Sequence, residues 1–163
     1  MRTSVISAAA TIVIGLPLLA GALIVEIGNP SANPEALSKH AVLVARTTAC
    51  HSPQKTSLTA SAEGAIDGQR RTIPLKLIPL SAPGTFGVAH EWPSTGTWAV
   101  KIVARNPEYQ NYATGALIRF HGDSAEWSSV KHYFHEPTGA ELAAMLDTQS
   151  GRNNALPGYA TLH

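Results

Sequence analysis

Between Ala41 and Phe134 the chain is a succession of short runs rich in valine, isoleucine, threonine and aromatic residues, each bounded by Gly, Pro, Asn or Asp. Runs of this length and composition fit a pleated, half-buried surface, and their regular punctuation predicts an all-β unit. Strands are expected near Ala41–Ala49, Lys55–Glu63, Arg71–Leu80, Thr85–Trp92, Thr97–Arg105, Thr114–His121 and Trp127–Phe134. Seven strands in about 95 residues suit an antiparallel sandwich.

Successive strand side chains point to opposite faces, so alternation assigns the faces. Leu58, Ala60 and Ala62 alternate with Ser57, Thr59, Ser61 and Glu63. Phe86 and Val88 fall in line with His90 and Trp92, and Trp98, Val100, Ile102 and Ala104 oppose Lys101 and Arg105. These two strands are expected to form a hairpin through Pro93-Ser94-Thr95-Gly96, where proline presets one dihedral and glycine tolerates positive φ. Pro74 and Pro79 cannot donate to a ladder, which makes the third strand an edge or an interrupted one. Past the strands, Pro137-Thr138-Gly139-Ala140-Glu141 has the capping-box arrangement, and Leu142, Met145 and Leu146 follow at helical spacing. A short helix is expected there, ended by Ser150–Asn154 and followed by a loose tail.

The N-terminus carries an address. Arg2 precedes an apolar and small-residue run, Val5 to Val25, that contains no charge. With the small triplet Ala20-Gly21-Ala22 it reads as a secretory signal cleaved before Leu23. It is also long enough to remain as a membrane anchor. In both cases the domain is carried out of the cytoplasm, to be periplasmic, extracellular or anchored in the inner membrane, because Arg2 holds the N-terminus inside. Residues 1–22 are thus a signal or anchor, 23–40 a Pro-rich linker, 41–135 the sandwich and 136–163 the short helix and tail. Lys and Arg total 12 against 11 acidic residues, and loss of Arg2 with the leader leaves 11 of each. That balance excludes a nucleic-acid partner and leaves membrane contact only through an uncleaved N-terminal segment. Cys50 is the single cysteine, so no intrachain disulfide forms and stability rests on packing.

Ile73-Pro74-Leu75-Lys76-Leu77, Pro83-Gly84-Thr85-Phe86-Gly87-Val88 and Trp92-Pro93-Ser94-Thr95-Gly96-Thr97-Trp98-Ala99-Val100 together resemble bacterial immunoglobulin-like envelope domains. The pattern is similar to the YtkA-like and FixH-like domains and, more distantly, to the CopC-like sandwich. In each, a glycine opens a turn and the next aromatic drops between the sheets. The resemblance covers about thirty residues and concerns the fold. It implies an immunoglobulin-like sandwich with an accessory, adhesive or binding role, and it carries over no ligand or catalytic residue.

Four constellations bear on chemistry. Cys50-His51 pairs two soft-metal ligands, and Ser52-Pro53 suggests the loop such a pair needs to chelate; a surface turn with one packed thiol is the plain alternative. His132 and His135 diverge within a strand and share an ion only if the strand ends between them, which Glu136-Pro137 makes feasible. His90 beside Glu91 resembles a catalytic pair, yet neighbouring strand residues face apart. Tyr109, Gln110, Asn111 and Tyr112, after Asn106-Pro107, have the composition of a recognition loop, the alternative being a tyrosine folded back on the sheet. G-x-S-x-G, H-E-x-x-H, P-loop and dinucleotide motifs are absent from the sequence. The expectation is an exported or membrane-tethered, non-catalytic binding or accessory domain of a bacterial envelope, without a cofactor and with another envelope protein as partner. A periplasmic copper-handling module using Cys50, His51, His132 and His135 is the first alternative, and a hydrolase without recognisable motif the second.

Overall fold

The computed structural model describes residues 23–48, 55–109 and 112–147. Two antiparallel sheets pack face to face as an all-β sandwich with a short C-terminal helix. One sheet holds β1 (Ile24–Gly28), β2 (Leu43–Thr48), β6 (Thr85–Val88) and β5 (Leu77–Pro79), in the order β1-β2-β6-β5. The other holds β4 (Gln69–Pro74), β3 (Ser57–Ile66), β7 (Thr97–Arg105), β8 (Ala113–His121) and β9 (Ser124–Tyr133), in the order β4-β3-β7-β8-β9. Nine strands therefore stand among the described residues where seven are expected from the sequence.

Alternation gives the expected inner face. Val25, Leu43, Ala45 and Val88 meet Ala60, Ala62, Trp98, Val100, Ile102, Ile118 and Phe120 in one buried cluster. Trp98 is fully buried; its indole Nε1 donates to Thr95 O at 2.8 Å, and its ring lies over Gly64. A side chain at position 64 would start 2.5 Å from that ring, so the glycine is what lets Trp98 lie flat.

The outer faces are not bare. The C-terminal helix, α2 (Gly139–Leu146), lays Leu142 and Met145 over Ala99 of β7 and Leu117 of β8 as a second small core. It begins at the expected capping box: Thr138 Oγ1 accepts from the Glu141 amide at 3.3 Å, and Glu141 accepts from the Thr138 amide at 2.7 Å. Arg119 Nε donates to Met145 O at 2.6 Å and secures the other end. Pro137 packs against Gly115, where a Cβ would come within 2.4 Å of the ring. Burial of β7 on both faces follows from this cover.

On the opposite side, α1 (Pro34–Ser38) starts from Asn33, whose side chain accepts from the Ala36 amide at 3.1 Å. Ala36, Ala41 and Leu80 make a third apolar cluster there. Glu35 fastens this helix to the loop after β5, accepting from the Ser81 amide at 2.8 Å and hydroxyl at 2.6 Å and from Lys39 Nζ at 2.8 Å. The Lys39 ammonium, followed by the Ser81 hydroxyl and amide, lowers the Glu35 carboxyl from 4.5 to about 2. A depressed carboxylate contributes stability that is present above its unfolded value and lost as pH falls through the folded one. Protection of the Ser81 amide from exchange is therefore expected to persist below pH 4.5 and to disappear as pH approaches about 2. In Glu35→Gln that acid-dependent step should vanish, and an unchanged titration of Ser81 would refute the assignment.

Two expectations need revision, and the break expected at the prolines is found. The strands flanking Pro93–Gly96 do not form a hairpin: β6 and β7 belong to different sheets, so this connection crosses the sandwich. Gly122 N donates to Gly96 O at 2.8 Å and ties the crossing to the β8–β9 turn. The expected strand at Arg71–Leu80 is interrupted at its prolines into β4, ending at Pro74, and β5, ending at Pro79, each at the edge of its sheet. Segment 23–40, expected as a tether, contains β1 and α1 and sends Leu23 and Val25 into the core.

Candidate functional site

Strand directions gather six chain ends at one pole of the sandwich. Register places Ile24 opposite Thr48, Ser57 opposite Arg105, Arg105 opposite Ala113 and Gly115 opposite Tyr133. The starts of β1, β3 and β8 and the ends of β2, β7 and β9 thus lie together, and the β7–β8 connection that carries Tyr109 and Tyr112 emerges among them.

That connection has a fixed stem. Asn106 is fully buried; its Oδ1 accepts from the Glu108 amide at 3.0 Å and its Nδ2 donates to Thr56 Oγ1 at 3.4 Å. Glu108 also pairs with Lys55 before β3. These bonds turn the backbone into the short 3-10 segment Pro107–Tyr109. Gln110 and Asn111 lie outside the described residues, and Tyr112 re-emerges with 38% of its surface exposed.

Two exposed apolar residues that the sequence analysis did not single out share this pole. Phe134 follows the last residue of β9 and is 69% exposed, and Ile24 opens β1 at 39%. Both line one small crevice with Leu23, Val25, Thr114 and His132. At about 30 Å³ it has room for a water or two and not for a larger ligand. The legible signal for Phe134 was Glu136-Pro137: the proline stops the ladder, and a residue that leaves the ladder loses its cross-strand cover.

The metal ligands of the first alternative fall apart. His132 Nδ1 lies 2.8 Å from Val25 O, joining the edge strands β9 and β1 of the two sheets. His135, past the end of β9, instead meets Glu141 of α2 at 3.1 Å on the outer face. Glu136 pairs with Lys101 at 3.5 Å and with Arg105. Cys50 and His51 lie outside the described residues. Among the described residues no group of three or more His, Cys, Asp or Glu side chains is placed to hold an ion. The Thr138 amide and hydroxyl, with His135, keep the Glu141 carboxyl below its ordinary value, while burial and then Glu141 raise the Tyr133 phenol.

His90 and Glu91, past the end of β6, have different partners. Glu91 accepts from the Lys76 amide at 2.7 Å. The His90 ring stands edge-on to Trp92, with centroids 4.3 Å apart. Its Nε2 is 3.2 Å from Asp123 Oδ1 without the alignment of a hydrogen bond, and it is buried with no hydrogen-bond partner among the described residues. A wider open groove of about 490 Å³ runs between α2 and the β3–β4 turn, lined by Gly64, Ala65, Gly96, Ala143 and Leu146. Its polar lining is Thr97, Asp147 and Arg70, and Arg70 pairs with Glu63 at 3.3 Å. No protein-family model, no curated protein and no solved structure matches the chain.

Proposed function

We propose that this chain is an exported, membrane-tethered β-sandwich that acts as a binding or accessory domain on the outer side of a bacterial cell membrane. The observation that carries the reading is the join between leader and domain. The charge-free run extends to Val25, and its last residues are already structural: Leu23 and Val25 are each 1% exposed within the sandwich core. A domain joined in this way folds where the run delivers it. The imidazoles of His132 and His135 and the carboxylates of Glu35, Glu91 and Glu141 hold elements together, which favours a scaffold that displays a surface over one that performs chemistry. The pole of Tyr112 and Phe134 is the contact surface, since rigid sandwiches make their contacts at the ends where strands give way to loops.

An alkaline phosphatase domain fused after His163 tests the topology, because that enzyme is active only after export. Activity in the fusion, lost when Val13 and Ile14 are both replaced by arginine, is the expected result. Full activity of a cytosol-restricted reporter in the same position would refute it.

A further inference from the structure

We infer that the pole formed by Ile24, Tyr112 and Phe134 rests on the lipid bilayer, with these side chains in the headgroup layer of the leaflet from which the domain emerges. The inference rests on the proposed tethering.

Chain length sets the height of the domain above the bilayer. Val5 to Ala22 is 18 residues. A run of that length falls within the roughly 17 to 25 apolar residues that crossing a hydrocarbon core takes. The next residue, Leu23, is already buried in the sandwich, and Ile24 begins β1. No spacer separates the end of the run from the domain. The interfacial layer on each side of the core is about 5 to 7 Å deep, so residues bordering Leu23 are held at headgroup level.

The residues at that level suit it. Ile24 and Phe134 line the same crevice as Leu23, and Tyr112 immediately precedes β8 beside it. Phe134 is the most exposed large apolar side chain among the described residues, an unfavourable position in water. Tyrosine is enriched at the membrane interface because its ring is apolar and its hydroxyl is wet.

Charge selects between lipid classes. Two cations bordering the pole are paired, Lys55 with Glu108 and Arg105 with Glu136, so these two add no net attraction for anionic headgroups. The surface fits a zwitterionic interface, with contact indifferent to salt. The opposite pole, with the β3–β4 turn at Asp67-Gly68 and the β8–β9 turn at Gly122-Asp123, then points away from the membrane. Any protein partner meets the domain there or on its flanks.

The test places an environment-sensitive fluorophore on the full chain in phosphatidylcholine vesicles. In a Cys50→Ser background, Phe134→Cys carries the label at the near pole and Gln69→Cys carries it at the far one. The labelled chain should float with the vesicles. A doxyl-labelled lipid should then quench the label at 134 at least several-fold more than at 69, without change on raising salt or adding phosphatidylglycerol. Flotation with equal, weak quenching at both positions would overturn the membrane-facing pole and leave the tether standing. Failure to float would overturn the tether and this inference with it.

Discussion

Replacing Trp98 by alanine is expected to lower the unfolding free energy by about 3 to 5 kcal/mol, the range for truncating a fully buried aromatic. Trp98 has no exposed surface, stacks on Gly64 and satisfies its own indole through Thr95 O at 2.8 Å. Its loss leaves a cavity walled by both sheets, because Gly64 brings no side chain to refill it. For a domain of this size each kcal/mol moves the melting temperature by roughly 2 to 5 °C, so a fall of about 10 °C or more is expected. Trp127 supplies the control. It is 36% exposed on β9, where the register against β8 breaks between Leu117 and Arg119, and Trp127→Ala should stay within about 0.5 kcal/mol. Equal effects of the two truncations in a denaturant titration would show that the inner face has been misassigned.

Gly122→Val should cost about 2 to 4 kcal/mol, combining a left-handed backbone with overpacking against a rigid neighbour. Gly122 sits at φ +56°, and a Cβ there would lie 2.3 Å from Ser94 O, a backbone atom that cannot rotate away. The crossing it braces is held by Gly122 N to Gly96 O at 2.8 Å and by Trp92 Nε1 to Gly122 O at 3.1 Å. Pushing the two loops apart strains both bonds. Gly68 isolates the steric part: it has φ +75° and no atom within 4 Å of its Cβ position. Gly68→Val then suffers only the conformational cost, about 1 to 2 kcal/mol. Matching losses in the two variants would remove the packing explanation.

Legibility of the fold in the sequence varied with the range of the interaction. The capping box of α2 was readable because Thr138 and Glu141 are three residues apart and need only each other. The inner faces of β3 and β7 were readable for the same reason, since alternation is a local property of the pleat. Pairing was not. The Pro93–Gly96 segment has good turn chemistry, but turn chemistry does not say whether the chain returns beside itself or passes to the other sheet. That choice was made by contacts from afar, Gly122 with Gly96 and Trp92 with Gly122, which no window of sequence contains.

The candidate site was legible in part. Tyr112 stood out because exposed tyrosine in a polar loop is a compositional signal. Ile24 was hidden inside an apolar run that reads as leader, and Phe134 looked like one more strand residue. Their exposure depends on where β1 and β9 meet: His132 Nδ1 lies 2.8 Å from Val25 O, and the two strands part beyond it. The metal reading of His132 and His135 depended on the same unknown. Once β1 occupies the edge beside His132 and α2 covers the face beside His135, the two rings are engaged on opposite sides of the sheet.

By itself the sequence determined the all-β class, the buried faces of β3 and β7, the break at Pro74 and Pro79, the start of the last helix and the charge-free segment that leads into the domain. These follow from dihedral preferences, side-chain alternation and capping, which act over a few residues. Only the tertiary structure decided that the tail of the apolar run becomes β1, that β6 and β7 separate into different sheets, that small helices cover both outer faces, and that Ile24, Tyr112 and Phe134 share one pole. Each of those outcomes is a packing solution. Leu23 and Val25 are as apolar in a leader as in a core, and what fixes them is the surface they bury against β2, β7 and β8. That free energy belongs to the assembled sheets and to no segment of the chain alone.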